Sequence, residues 1–179
     1  MATTLTVRTT NRADMGALDI LFSLSYPALL KADYPPSALV MALPLIARVQ
    51  PRLVNSGSYF CVVDGRGQIV GAGGWTWQGP QGGVSPRDMG HIRHVVTDRH
   101  LVRKGIGRAL MTHIFRHAGA SGVRRLDCMS TITAVPFYKA MGFSQIAEVE
   151  IQLRPGIGFP AVHMRRTLSE ADLPPSNAG

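Results

Sequence analysis

Cysteine is scarce in this sequence, and long apolar runs are missing. The two cysteines, Cys61 and Cys128, form neither a C-x-x-C pair nor a Cys/His metal-ligand pattern, so we expect two buried free thiols and no metal site. No uninterrupted apolar run approaches the roughly 18 residues of a membrane-spanning helix. Residues 1–8 also lack the basic stretch and apolar core of a secretory signal. These absences predict a cytoplasmic protein without a membrane partner.

Internal repeats, low-complexity blocks and interior linkers are also missing from the sequence. A chain of 179 residues with 45% apolar content is able to bury one sizeable core. We therefore expect a single domain over residues 1–168. Pro174, Pro175 and the polar end that follows them indicate a flexible tail over residues 169–179.

Acidic residues are few, and the excess of positive charge is concentrated in one segment. The chain has 11 Asp and Glu against 19 Lys and Arg, a formal net charge of +8. Residues 93–125 hold eight cations and one anion, Asp98, so nearly the whole excess lies there. The cations are Arg93, Arg99, Arg103, Lys104, Arg108, Arg116, Arg124 and Arg125. Such a segment suits a polyanion, which is either a cofactor with several phosphates or a nucleic acid.

Hydrophobic periodicity predicts an alternation of strands and helices. Alternating or β-branched runs indicate strands near residues 4–8, 58–63, 68–77, 91–97, 126–129, 143–153 and 161–167. Helical spacing indicates two helices between residues 11 and 47, a third over 105–118 and a short fourth over 133–141. The order β-α-α-β-β-β-α-β-α-β-β predicts an α/β (α+β mixed) fold, in which helices cover both faces of a mixed sheet.

The sharpest motif is a glycine turn between a strand and an amphipathic helix. A strand ending at Thr97 is followed by the pentapeptide Arg-Lys-Gly-Ile-Gly and then by the helix. Free N–H groups at a helix N-terminus and the positive end of its dipole form a phosphate site without any particular side chain. Arg103, Lys104 and Arg108 add positive charge around it. The alternative interpretation is that the two glycines only make a tight turn.

This turn and a second motif resemble the GNAT superfamily of acyl-CoA N-acyltransferases. Residues 102–107 are similar to its pyrophosphate motif, Q/R-x-x-G-x-G/A, and residues 138–143 to its Y-x-x-x-G-F element. The resemblance covers roughly residues 90–143 and departs from the family at Val102, where Gln or Arg is usual. It implies acetyl-CoA as co-substrate and a mostly antiparallel sheet of six to seven strands whose central strands splay apart. Many relatives dimerise, so the resemblance also makes a homodimer an expectation for this chain.

The resemblance further implies which residues contact the cofactor. Main-chain groups of the approach strand would bind the pantetheine arm, and an N–H near Val96 would polarise the thioester carbonyl. Thr131 stands where many members have an asparagine that touches the cofactor. The implied CoA-binding residues are Val95, Val96, Thr97, Arg103, Lys104, Gly105, Ile106, Gly107, Arg108 and Thr131.

Two residues carry the implied chemistry. Tyr138 matches the tyrosine whose phenol protonates the departing thiolate in family members. In arylalkylamine N-acetyltransferases, histidines near the place of His91 are associated with removing the proton of the amine, so His91 is the candidate base or water-relay residue. The alternatives are a core aromatic for Tyr138 and an ordinary surface or capping histidine for His91. A period of two places His91, Arg93, Val95 and Thr97 on one face of their strand.

Fewer residues of the sequence indicate the identity of the acceptor than indicate the cofactor. In this family its pocket is built from the first helices, the hairpin and the loop before the last strand, here residues 26–36, Trp75, Trp77 and residues 154–160. These pieces are aromatic and apolar with one nearby acid, Asp33, which favours a small, partly hydrophobic amine. Two other functions stay open: a CoA-binding protein of this fold without catalysis, and a basic nucleic-acid-binding module. The second is disfavoured because the cations are not interleaved with exposed aromatic residues.

Overall fold

The described part of the chain contains seven strands and five α-helices. The computed structural model describes residues 4–176, so residues 1–3 and residues 177–179, the end of the expected tail, lie outside the described range. The strands are β1 (Thr6–Thr9), β2 (Tyr59–Val63), β3 (Ile69–Thr76), β4 (Met89–Thr97), β5 (Arg125–Ser130), β6 (Ser144–Arg154) and β7 (Ile157–Thr167). The helices are α1 (Met15–Leu30), α2 (Pro36–Ile46), α3 (Pro51–Val54), α4 (Ile106–Ala120) and α5 (Val135–Ala140), with 3-10 turns at Arg12–Asp14 and Glu170–Asp172. The predicted order of elements is confirmed, and α3 is an addition to it.

The strands form one sheet in the order β1-β2-β3-β4-β5-β7-β6. Every neighbouring pair is antiparallel except β4 and β5, which run parallel. This confirms the mixed, mostly antiparallel sheet. β4 and β5 pair only from Met89–Arg125 to His91–Asp127, although both strands continue beyond that point. The central strands therefore splay apart, as the resemblance implied.

Each face of the sheet is covered by its own helices and has its own core. One face, called here the α4 face, is covered by α4 through fully buried residues such as Leu110 and Ile114. The opposite face, called the α1 face, is covered by α1 and α2 through residues such as Leu18 and Phe22. Each such side chain stabilises the fold by about 1.5–3 kcal/mol through removal of apolar surface from water. The prediction of helices on both faces is confirmed.

The first helical stretch, Arg12–Leu30, has 19 residues. By length and composition alone, it could cross a membrane. Asn11 and Asp14 begin it with a capping box, which agrees with their prediction as cap residues. One side of the stretch is buried in the α1-face core, where Leu18 and Phe22 are almost fully covered. Its other side leaves large apolar residues such as Ile20 and Leu24 exposed.

A bulge in β4 overturns the strict alternation expected for this strand. One residue of β3 faces two residues of β4, His94 and Val95, where a regular ladder has one. His94 adopts a positive φ of 43° within this bulge. The extra residue shifts the alternation, so Val95 packs with the α4-face core as Ile92 does, while His91 points to the α1 face. The expectation that His91, Arg93, Val95 and Thr97 all share a face is therefore wrong, because it holds only for His91 and Arg93, ahead of the bulge.

The last hairpin is tighter than the sequence indicated. β6 runs to Arg154 and β7 begins at Ile157, so Pro155 and Gly156 alone make the turn. Gly156 has a positive φ of 81°, the conformation that lets a two-residue turn close a hairpin. The loop expected over residues 154–160 is consequently mostly strand.

Part of the segment expected as a tail packs on α4. The carboxylate of Asp172 accepts hydrogen bonds from Arg166 at 2.7 Å and from the main chain of Ser169 at 2.9 Å. Leu173 contacts the α4-face core, and the main chain of Asp172 lies against Gly119 of α4. These contacts extend the packed structure beyond residue 168.

Candidate functional site

The gap between β4 and β5 is the feature around which the candidate site is built. Beyond the His91–Asp127 pair, neither strand has the other as a main-chain partner. Asp98 donates its main-chain N–H to the carbonyl oxygen of Val70 in β3 at 2.8 Å. The alternation of an antiparallel ladder then turns the N–H and C=O of Thr97 away from β3 and toward the gap. Such groups need a partner, and an extended ligand with amides is able to supply one.

The glycine turn follows the open end of this gap. Arg103 and Gly105 both have positive φ, 62° and 81°, so the chain curls immediately before α4. Open space lies beside Gly105, because a Cβ atom there would meet nothing within 4 Å. The N–H groups of Ile106, Gly107 and Arg108 begin the helix and have no acceptor within it. These groups are free to bind an anion in that open space.

Three glycines allow close approaches that position the turn. A Cβ atom on Gly71 of β3 would lie 2.6 Å from Ile106, and one on Gly73 would lie 3.1 Å from Leu110, so β3 makes room for the start of α4. A Cβ atom on Gly107 would lie 2.8 Å from the ring of Phe137 in α5. The two sequence motifs are therefore held against each other by a glycine–aromatic contact.

Positive charge surrounds the turn without being neutralised by the protein. Arg103, Lys104 and Arg108 are exposed. The ion pairs formed within residues 4–176 involve none of these three side chains. Their charge is therefore available to an anion that binds at the start of α4.

Tyr138 combines a core position with a phenol beside β5. The residue is 5% exposed, and its ring packs edge-on against Phe137 and Phe143 at centroid distances of 5.3 and 5.2 Å. Burial raises the pKa of Tyr138 well above its usual value, and the neighbouring thiol of Cys128 adds to the effect. The phenol is therefore protonated at neutral pH and is able to donate a proton.

The remaining expected cofactor residues lie around the same gap. Val95 is half-buried toward α4. Val96 is 3% exposed, belongs to the α1-face core and pairs with Ala72, so the same alternation turns its N–H toward β3 and away from a thioester in the gap, against the expectation for this N–H. Thr131 follows β5, and its hydroxyl accepts the N–H of Ala134 at 3.2 Å before α5 begins. The hydroxyl of Thr131 thus has a structural partner of its own.

His91 stands at the last point where β4 and β5 are joined. Its ring is half-buried on the α1 face, packs over Gly79, and places Nε2 2.8 Å from the hydroxyl of Ser85. Burial lowers the pKa of His91; Asp127 opposes this effect, and the charge of Arg93 strengthens it. The imidazole is therefore neutral at pH 7 and is able to accept a proton.

A buried carboxylate that the sequence analysis missed lies beside His91. Asp127 is 6% exposed and is bound by Nε2 of His163 at 2.7 Å and by Nε of Arg165 at 2.6 Å. Burial opposes ionisation of this carboxyl, but its hydrogen bonds with Arg165 and His163 hold the pKa of Asp127 below the usual value. The sequence signal for such a cluster is an acidic residue in the middle of a short apolar strand.

Tyr34 joins three segments on the α1 face. Its hydroxyl donates to the carbonyl oxygen of Pro160 at 2.7 Å and accepts the N–H of Ile132 at 2.8 Å. Its ring stacks on Phe159 at a centroid distance of 4.5 Å. The end of α1, the start of β7 and the segment after β5 are thereby tied together, so part of the expected acceptor pocket is assembled.

The two tryptophans lie on the other side of the sheet. Trp75 is buried in the α4-face core and donates its indole N–H to Nδ1 of His117 at 3.0 Å. Trp77 packs edge-on against it at 5.0 Å and is 44% exposed. Both are therefore removed from the expected acceptor pocket, because the period of two places them opposite the α1 face.

No group of His, Cys, Asp and Glu within residues 4–176 is arranged to hold a metal ion. Cys61 and Cys128 are both buried and free, as expected from their apolar surroundings.

The sequence itself matches a known domain family. Residues 38–168, well over half of the chain, match the profile of the acetyltransferase (GNAT) domain. A comparison with curated proteins gave no match.

Solved structures share the whole fold. A GCN5-related N-acetyltransferase from Rhodopseudomonas palustris is 19% identical with a TM-score of 0.73, over 94% of this chain and 98% of that one. The PaiA N-acetyltransferase of Thermoplasma acidophilum, in complex with coenzyme A, is 10% identical with a TM-score of 0.68, over 92% and 99%. The ribosomal-protein-S18-alanine N-acetyltransferase of Escherichia coli is 16% identical with a TM-score of 0.62, over 98% and 99%. At these identities the likeness shows a common fold.

Replacing Asp127 with asparagine tests the importance of the carboxylate cluster. The change removes the charge that binds Arg165 and His163, so we expect the free energy of unfolding at pH 7 to fall by about 1–3 kcal/mol. The pKa of Asp127 is lowered in the folded protein, so its contribution is present above the unfolded value of roughly 4 and is lost as pH falls through the folded value. Urea unfolding at several pH values between about 3 and 7 measures the difference between the two proteins.

The matched control is Asp19→Asn, because Asp19 is exposed on α1 and takes part in none of the ion pairs formed within residues 4–176. We expect that change to stay within about 0.5 kcal/mol of wild type. An Asp127→Asn protein as stable as wild type at pH 7, or a loss that does not shrink toward acid pH, would contradict the prediction.

Proposed function

This chain belongs to the acetyltransferase (GNAT) domain family, and we propose that it transfers the acetyl group of acetyl-CoA to a primary amine. The observation that carries the proposal is the junction of the β4–β5 gap with the glycine turn before α4. The gap leaves main-chain groups of β4 without a sheet partner, and the turn presents free helical N–H groups. A long ligand with phosphates at one end and amides in its arm fits this combination.

The residues of the junction suit coenzyme A. The N–H groups that begin α4 would hold its pyrophosphate in the open space beside Gly105, and Arg103, Lys104 and Arg108 would add positive charge. The main-chain groups of Thr97 would bind an amide of the pantetheine arm. Val102 lacks the polar group of the family motif, and the neighbouring cations supply charge in its place.

The two faces of the gap divide the two substrates. Phosphate-binding groups and Tyr138 belong to the α4 side, whereas His91 and its surroundings belong to the α1 side. An amine that enters from the α1 side therefore meets a thioester whose arm lies in the gap. Fixing both in attack geometry removes much of the entropic barrier to the reaction.

His91 is the proposed proton acceptor for the amine. The amine nitrogen attacks the thioester carbonyl carbon, a C–N bond forms, and His91 takes the proton that the nitrogen loses, directly or through a water. Because burial keeps this imidazole neutral near pH 7, it is ready to accept that proton.

Tyr138 is the proposed proton donor. The C–S bond breaks as the amide forms, and the phenol of Tyr138 gives its proton to the departing sulfur. At neutral pH the phenol is protonated, so it carries the proton that the sulfur needs. The proton held by His91 and the proton missing from Tyr138 balance when both groups exchange with solvent.

Replacing Tyr138 with phenylalanine removes the donor and keeps the ring. We expect kcat to fall by about 100-fold while the affinity for acetyl-CoA, measured by calorimetry, stays within about threefold. The assay is thiol release from acetyl-CoA with the best acceptor found among amino acids and small amines. Unchanged turnover, with the same melting temperature as wild type, would remove Tyr138 from the mechanism.

Replacing His91 with alanine tests the acceptor of the proton. In wild type, kcat/KM should fall on the acid side as pH passes through the lowered pKa of His91, below the usual value of about 6.5. The variant should lose about 100-fold in rate at pH 7 and should lose this acid limb. His113→Ala is the matched control, because that histidine also has a pKa lowered by burial but packs against Phe60 on the α4 face. An acid limb that persists unchanged in His91→Ala would refute the assignment.

A further inference from the structure

Arg93 is a half-buried guanidinium without an acidic partner. It lies in β4 two residues after His91, on the same α1 face, ahead of the bulge at His94. Its side chain donates to two neutral groups, the hydroxyl of Thr76 at 3.2 Å and the side-chain carbonyl of Gln50 at 3.5 Å. Among the ion pairs formed within residues 4–176, none includes Arg93.

Burying the charged guanidinium of Arg93 costs free energy unless an anion pairs with it. Burial disfavours the charged form, which lowers the pKa of Arg93. Hydroxyl and amide oxygens at these distances recover part of the lost hydration, but a carboxylate is the partner whose two oxygens match the fork of a guanidinium.

The neighbouring carboxylates are already engaged. β4, β5 and β7 together carry one acidic residue, Asp127, and it is bound by Arg165 and His163. Asp88, before β4, is bound by Arg125 at 2.9 Å. Asp33 is exposed at the far end of α1, close to Tyr34. The strands that flank the gap therefore present a free cation and no free anion.

We infer that Arg93 binds a carboxylate of the acceptor, so that the acceptor is a small amine that also carries a carboxylate, such as an amino acid. This inference rests on the proposed acetyl transfer and adds the class of acceptor to it. Residues two apart in a strand are about 7 Å apart, so one small molecule is able to reach Arg93 with its carboxylate and the side of His91 with its amine.

The same arrangement disfavours polycationic acceptors. A polyamine would bring several positive charges to a face whose unpaired charge is already positive, and Asp127 is neutralised by its own partners. Like charges in a partly desolvated site repel more strongly than in water. We therefore expect the protein to prefer amines that carry an anionic group over amines that do not.

Matched sets of acceptors test the inference. Each proteinogenic amino acid is compared with its α-amide and with its decarboxylated amine, by thiol release from acetyl-CoA under kcat/KM conditions. We expect the best acceptor to be a free amino acid, favoured about 10- to 100-fold over its amide and its decarboxylated amine, as for a hydrogen bond between charged groups. In Arg93→Gln the advantage of the free amino acid should disappear, through a higher KM for the free amino acid.

Two further variants keep the result interpretable. Arg93→Lys retains the charge without the fork and should recover part of the preference. Arg66→Gln removes an exposed arginine in the β2–β3 turn and should change nothing. Equal rates within each set, a preference for the members without a carboxylate, or no turnover of any free amino acid would overturn the inference while acetyl-CoA still binds. A protein that binds no acetyl-CoA in calorimetry would instead overturn the proposed function.

Discussion

The main-chain pairing of β4 with β5 ends at His91 and Asp127, and the rest of the site depends on that end point. Before it, the parallel strands close the sheet. After it, each strand has main-chain groups that the other does not satisfy, and buried groups of this kind require a partner. The bulge at His94 adds to this separation of the strands, because it changes the direction in which the following residues point. At the bulge, the hydroxyl of Tyr59 donates a hydrogen bond to the carbonyl oxygen of His94 at 2.8 Å.

The gap also divides the chemistry between the two faces of the sheet. The α4 face holds the glycine turn, the exposed cations and the phenol of Tyr138, which are groups for a phosphorylated thioester and its departing sulfur. The α1 face holds a neutral imidazole, a neutralised carboxylate and a half-buried guanidinium, which are groups for an amine and its anionic substituent. In the proposed reaction the two substrates would therefore approach one another from opposite sides of the gap.

The sequence predicted the features that depend on local patterns. Alternation around Asp64-Gly65-Arg66-Gly67 indicated the β2–β3 hairpin, and the glycines at 105 and 107 indicated the turn before α4. The bulge was not predictable from alternation, because it depends on His94 adopting a positive φ that side chains rarely take. The cluster of Asp127, His163 and Arg165 was missed because it exists only when β5 lies beside β7, and Trp75 and Trp77 were assigned to the pocket because the sequence does not say which sheet face each helix covers.

Calorimetric titration of acetyl-CoA into the wild-type protein and Gly105→Val, with a short DNA duplex as a second ligand, tests the central claim most directly. Valine at Gly105 would have to adopt a φ of +81°, which β-branched residues avoid, so the variant should lose the curl that presents the N–H groups of α4. The account predicts saturable, micromolar binding of acetyl-CoA to wild type, loss of that binding in the variant at unchanged fold, and no binding of the duplex. Binding of the duplex without acetyl-CoA, or equal binding of acetyl-CoA by both proteins, would contradict it.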